Sequence, residues 1–155
     1  MAVTSIPRRA LLDVNVLIAL VDPKHASSAR AHEWFAANNQ AKGGVATCPI
    51  VQNGVARILS QPAYSSGAQF SVRIVVLVLR DFCAAVDHEF WPDSVALVNA
   101  ESFDESRLIR HRQITDAYLL ALAVANDGVL VTFDSAIAAT AAVVRGAKPE
   151  HVLVL

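Results

Sequence analysis

Leu11-Leu12-Asp13-Val14-Asn15-Val16-Leu17-Ile18-Ala19-Leu20 is an apolar run with two polar side chains, Asp13 and Asn15, set inside it. A carboxylate taken from water without a partner costs several kcal/mol, and the run contains no Lys or Arg. The pattern predicts a short buried strand through Leu12 that ends at Asp13, then a helix carrying Leu17, Ile18 and Val21. That geometry puts Asp13 at the carboxyl end of a strand, where open α/β sheets hold their ligands. A plainer role is open to it as well, because Asp is a favoured helix N-cap.

Working outward, the 155 residues suit one domain, 1–155. A hydrophobic content of 54% with 17% charged residues excludes a disordered chain. Cys48 and Cys83 lack disulfide-scaffold or metal-ligand spacing and read as small packing residues in a reducing cytoplasm. Two apolar segments could pass for membrane or export signals. Asp13 and Asn15 break the one that follows Arg8-Arg9, and Arg73 and Arg80 break the other. The expectation is a soluble cytoplasmic protein with no membrane partner. A net charge of −1 announces no nucleic-acid partner in bulk, so any such contact must come from a local basic cluster.

Helical and strand periods alternate along the rest. Ser27 or Ser28 caps a helix over 29–40, and Gly43-Gly44 closes it. A strand at 45–48 leads through Pro49 into a helix over 50–60, whose Gly54 costs about 1 kcal/mol relative to Ala. After a loop at 61–67 comes the most apolar helix, 68–86, expected at the centre of the fold. A turn at 91–94 precedes a strand at 95–98, and 103–113 is irregular or weakly helical. Thr115 caps a helix over 116–127, ended by Gly128. A buried strand at 129–133 follows, then a helix opened by Asp134 or Ser135 and running through 144, then a strand at 152–155. Alternation of this kind predicts an α/β protein with a central parallel sheet of four to five strands.

All strand carboxyl ends of such a sheet share one edge, so Asp13 and Asp134 must lie on the same side. Topology alone does not place Asp116, and the helix dipole alone would explain an acid in its first turn. Carboxylates at ~4 Å repel by about 4 kcal/mol at an effective dielectric of 20. A cluster with no basic partner needs a cation or retained protons. Oxygen-only ligands select Mg²⁺ or Mn²⁺, and such sites are suited to phosphodiester cleavage.

LLDVNVLIAL, TCPIVQNGVARIL, ITDAYLLALA and VTFDSAI, in this order, resemble the motifs of PIN-domain ribonucleases, and of the VapC-type toxins of bacterial toxin–antitoxin pairs in particular. The resemblance covers nearly the whole chain. It implies a three-layer α/β/α fold in which Asp116 joins Asp13 and Asp134 in one metal site. It also implies Asn15 bracing the first carboxylate, Thr132 beside the last, a cognate antitoxin as partner and a homodimer. The family usually carries a Glu in the helix after the second strand; the matching position here is Asn53. An amide offers a carbonyl oxygen but no charge and no basicity. The expectation is one firmly bound ion, weak activity and a preference for Mn²⁺. Glu33 is the alternative fourth ligand if Asn53 is not the matching position.

RLIRHRQ, 107–113, is the dense basic run of the chain and directly precedes Asp116. A polyanion approaching an acidic site needs such a run. Arg107, Arg110, His111 and Arg112 are therefore expected to face RNA phosphates; Arg57, one turn beyond Asn53, is placed either to reach a phosphate or to pair with a nearby carboxylate. His25, His32, His88 and His151 read as surface or packing residues, and Trp34 and Phe35 as core. The reading is a divalent-metal-dependent endoribonuclease. The alternative is a PIN-like RNA- or protein-binding module with catalysis weakened at Asn53. A nucleotide-binding Rossmann-like protein ranks below both, for want of a glycine-rich loop after the first strand.

Overall fold

The computed structural model describes residues 7–40, 42–64 and 70–155. The opening run forms strand β1 (Ala10–Leu12) and helix α1 (Val14–Val21). Leu11, Leu12, Val16 and Leu17 are fully buried. After α2 (Ser28–Gln40) come β2 (Val45–Thr47) and α3 (Pro49–Leu59). Helix α4 (Val72–Ala85) leads to β3 (His88–Phe90). A long irregular segment joins β3 to α5 (Gln113–Ala125) and β4 (Val129–Thr132), and α6 (Ile137–Ala141) precedes β5 (Val152–Val154).

The five strands are parallel, in the order β3-β2-β1-β4-β5. Helices α1 to α4 pack on one another, and α5 lies against β1 and β4 with α6 beside it. The sheet is thus sandwiched in a three-layer α/β/α arrangement. The chain runs outward from β1 to β3 on one side, then returns to lay β4 on the other flank of β1. The gap between the carboxyl ends of β1 and β4 is therefore the topological switch point, where an open sheet leaves a crevice. No described helix is long and apolar enough to cross a membrane.

Four expectations are corrected. Residues 95–98 are not a strand; the third strand is His88–Phe90, which pairs with β2 in register Val45↔His88. Pro92, which has no N–H to give a ladder, follows Trp91 closely, and the chain leaves the sheet there. Helix α4 is peripheral, not central: only Val75 and Leu79 are buried, and Val72, Ile74, Val76, Leu77 and Val78 are 38–58% exposed. Its expected start at 68 and 69, with part of the preceding loop, lies outside the described residues. Helix α5 begins at Gln113, so Thr115 sits in its first turn and not at its cap. The helix after β4 is a short one that ends at Ala141, well before 144.

Two glycines are held for space. Gly128 does not supply the left-handed residue after α5, which is Asp127 at φ 50; a Cβ on Gly128 would run into the Trp91 ring. A Cβ on Gly54 would sit 2.9 Å from Val14 Cγ2. Gly54 therefore lets α3 close onto the start of α1, one residue from Asp13.

Candidate active site

Asp13 is both things the sequence allowed. It is the N-cap of α1, its Oδ1 accepting from the Val14 N–H at 2.7 Å. Its other oxygen, Oδ2, accepts from the Thr132 hydroxyl at 2.8 Å across the β1–β4 gap. The strand register Leu12↔Val131 and the Asp13 N–H to Val131 carbonyl bond, 3.0 Å, set that meeting. The Thr132 hydroxyl in turn accepts from the Asp134 N–H at 3.0 Å, and Asp134 Oδ1 accepts from the Ala136 N–H at 2.8 Å. One threonine thus ties the first carboxylate to the backbone that carries the last.

Asp116, in the first turn of α5, completes the group. Burial, then the charges of Asp13 and Asp134, push its pKa up to about 6. Asp13 is only 9% exposed. Burial raises its pKa, the Thr132 and Val14 bonds oppose the rise, and Asp134 adds to it. None of the three carboxylates forms an ion pair among the described residues. With Asn15, Thr115 and Arg57 they line a hollow of about 230 Å³, walled by Ile50, Gly54 and Ile58 of α3. The donor set is hard oxygen throughout, the chemistry of Mg²⁺ or Mn²⁺. In this conformation no group of three or more His, Cys, Asp or Glu side chains among the described residues is drawn in tightly enough to grip one ion.

Asp116 and Asp134 also floor a larger groove of about 650 Å³ that opens from the hollow. Arg107, Arg110 and Arg112 line it, with small residues of the segment around α6. The 106–113 segment is held there by Phe103, 1% exposed and bridged to Val144, and by the Asp104 N–H to Val143 carbonyl bond of 2.7 Å. Arg107 pairs with Asp104 at 3.1 Å; Arg110, Arg112 and Arg57 make no ion pair among the described residues.

Asn53 is not in this hollow. With Gln52, Arg80, Cys83 and His88 it lines a separate hollow of about 320 Å³ between α3 and α4. Glu33 is exposed on α2 and lines neither the acidic hollow nor its groove. The face of α3 turned to the carboxylates carries Ile50, Gly54, Arg57 and Ile58, and no acid. Helical spacing from Asn53, i−3 and i+4, reaches Ile50 and Arg57 of that same face, so spacing alone does not exclude Asn53; the close contact of Gly54 with Val14 sets which side of α3 is turned in. Gln113, missed in the sequence, lines the groove as well.

Comparison with known proteins gives matching results. The PIN domain family model matches residues 10–143. Ribonuclease VapC44 of Mycobacterium tuberculosis is 47% identical over 147 residues, covering 95% of this chain and 99% of that one. Ribonuclease VapC39 of the same organism is 40% identical over 132 residues, 85% and 93% of the two chains. Ribonuclease VapC29, also from that organism, is 39% identical over 132 residues, 83% and 87%.

Proposed function

The chain belongs to the PIN-domain family, among its VapC-type ribonucleases, and from that premise we propose that it is a divalent-metal-dependent endoribonuclease acting as the toxin of a toxin–antitoxin pair. The observation that carries the proposal is the convergence of Asp13, Asp116 and Asp134, none of them in an ion pair among the described residues, at the switch point of the sheet. Unneutralised carboxylates brought together cost stability, and the fold retains them.

Asp13, Asp116 and Asp134 would hold Mg²⁺ or Mn²⁺. The ion, when bound, activates water and steadies the leaving oxygen of a phosphodiester. The chain's own residues do the rest. Thr132 fixes Asp13, and Asn15 and Thr115 line the hollow beside them. Arg57 faces the carboxylates from α3, placed to draw a phosphate against them. Arg110 and Arg112 bind the backbone of the RNA along the groove and offset the repulsion the carboxylates exert on a polyanion. The exposed apolar side chains of α4, Val72, Ile74, Val76, Leu77 and Val78, serve assembly, with a second copy and with the antitoxin, because a contiguous exposed apolar patch is normally covered.

The binding-module reading keeps one supporting observation: α3 offers the hollow an arginine and no fourth carboxylate. One experiment separates the two. Purified protein is incubated with a structured RNA and Mn²⁺, with Asp13→Ala as control. Cleavage that disappears in the variant supports the enzyme. RNA binding without cleavage supports the module.

A further inference from the structure

Gln113 stands where the basic segment turns into α5, and its side chain is oriented. Its Oε1 accepts from two backbone N–H groups, Ile109 at 3.2 Å and Arg110 at 3.0 Å. With the carbonyl half of the amide so engaged, the flip is decided, and the NH₂ half is left to the groove that Gln113 lines. The neighbouring side chains on that wall, Arg110 and Arg112, also only donate. Ala136, Ala139 and Ala142 also line the groove, and their small methyl groups leave breadth for a flat ring. At about 650 Å³ against about 230 Å³ for the carboxylate hollow, the groove takes more than a phosphate. Ile109, 83% exposed, adds an apolar flank.

We propose that Gln113 is a specificity-determining residue, whose amide N–H groups read the edge of an unstacked RNA base lying in this groove. The proposal rests on the ribonuclease reading for the identity of the ligand as RNA. Guanine presents two acceptors, O6 and N7, on one edge, and uracil presents O4 at the corresponding place. Adenine and cytosine place an amine there, which would face the Gln113 amine donor to donor. The groove therefore selects keto bases, guanine before uracil, over amino bases. Unpaired bases are the ones that offer such an edge to a protein in RNA.

The test uses short oligocytidylates carrying a single guanosine, uridine or adenosine. Binding is read by fluorescence anisotropy in Ca²⁺, and cleavage separately in Mn²⁺. The expected result is binding of the guanosine oligomer roughly 10-fold tighter than of the adenosine or all-cytidine one. Gln113→Glu keeps an oxygen for the two backbone N–H groups and replaces the free donor by an acceptor, so it should weaken binding overall yet invert the ranking. Gln113→Ala should flatten it. Equal binding of all bases by the wild type, no binding at all, or an unchanged ranking in Gln113→Glu would overturn the proposal. Keto-selective binding without cleavage in Mn²⁺ would support it while sinking the ribonuclease reading. Cleavage indifferent to the base would do the reverse.

Discussion

Two hollows border α3, one on each side, and they treat their polar groups oppositely. At the hollow between α3 and α4, two of the lining polar side chains, Gln52 and His88, are satisfied by one hydroxyl beneath them. The fully buried Thr47 hydroxyl accepts from Gln52 Nε2 at 2.9 Å and meets His88 Nε2 at 2.7 Å. No carboxylate lines that hollow. Between β1 and β4, three carboxylates share a smaller space; burial and the charge of Asp134 raise the pKa of Asp13, and burial with the charges of Asp13 and Asp134 raises that of Asp116. Polar groups closed on themselves hold a fold together, whereas charges left facing one another await a ligand.

The largest effect should separate the two hollows by activity. Asp13→Ala, Asp116→Ala or Asp134→Ala should each lower RNA cleavage by roughly 10³-fold or more, since a metal's charge is worth several kcal/mol to the reaction. Thr47→Val, beneath the other hollow, should leave the rate of the folded protein within a few-fold. Comparable losses on both sides would erase the distinction.

Stability should move in opposite directions. Thr47→Val strands the Gln52 amide and should cost about 1–3 kcal/mol. Metal-free Asp116→Asn should be more stable than wild type at pH 7.5, by ~1–2 kcal/mol after allowing for solvent screening. The folded chain holds the Asp116 proton more tightly than the unfolded chain does. The stabilising effect of that proton is full below the unfolded value of 3.8 and is lost as pH rises through about 6. The advantage of Asp116→Asn should therefore shrink toward zero by pH 4. Denaturant melts in EDTA at the two pH values check both signs.

A smaller effect belongs to the groove rim. Neutralising Arg110 and Arg112 together should weaken RNA binding and lower its salt dependence by ~0.7 per lost contact. An unchanged slope would make the run an ordinary solvated loop. The smallest effect is expected at Asn53. Because it lines the α3–α4 hollow, Asn53→Glu should change metal affinity and cleavage by less than about twofold, as expected of a charge screened by solvent. A marked gain would mean that α3 turns in the loaded protein and that its present face is not the working one.

These contrasts also mark what the sequence could carry. Asp13 and Asp134 were legible because each follows a buried run, and a parallel sheet forces both to one edge. Asp116 needed the family likeness, since a helix start can serve its dipole alone. Asn53 misled because a helix face is fixed by packing, and the decisive contact, Gly54 against Val14, is tertiary. The third strand was displaced to His88–Phe90 because the β-branched propensity of 95–98 yielded to Pro92 and the buried Trp91, 3% exposed. Apolar content placed α4 at the centre. A fold cannot show in one chain's periodicity that an apolar helix is reserved for its outside.

The role proposed for Asp13, Asp116 and Asp134 is to hold a cation. Calorimetric titration of Mn²⁺ into the metal-free protein near pH 6, in two buffers of different ionisation heat, tests it most directly. One ion should bind per chain with release of a fraction of a proton from Asp116, and both binding and release should be lost in Asp116→Asn. Equal binding by Asp116→Asn, or binding without proton release, would contradict it.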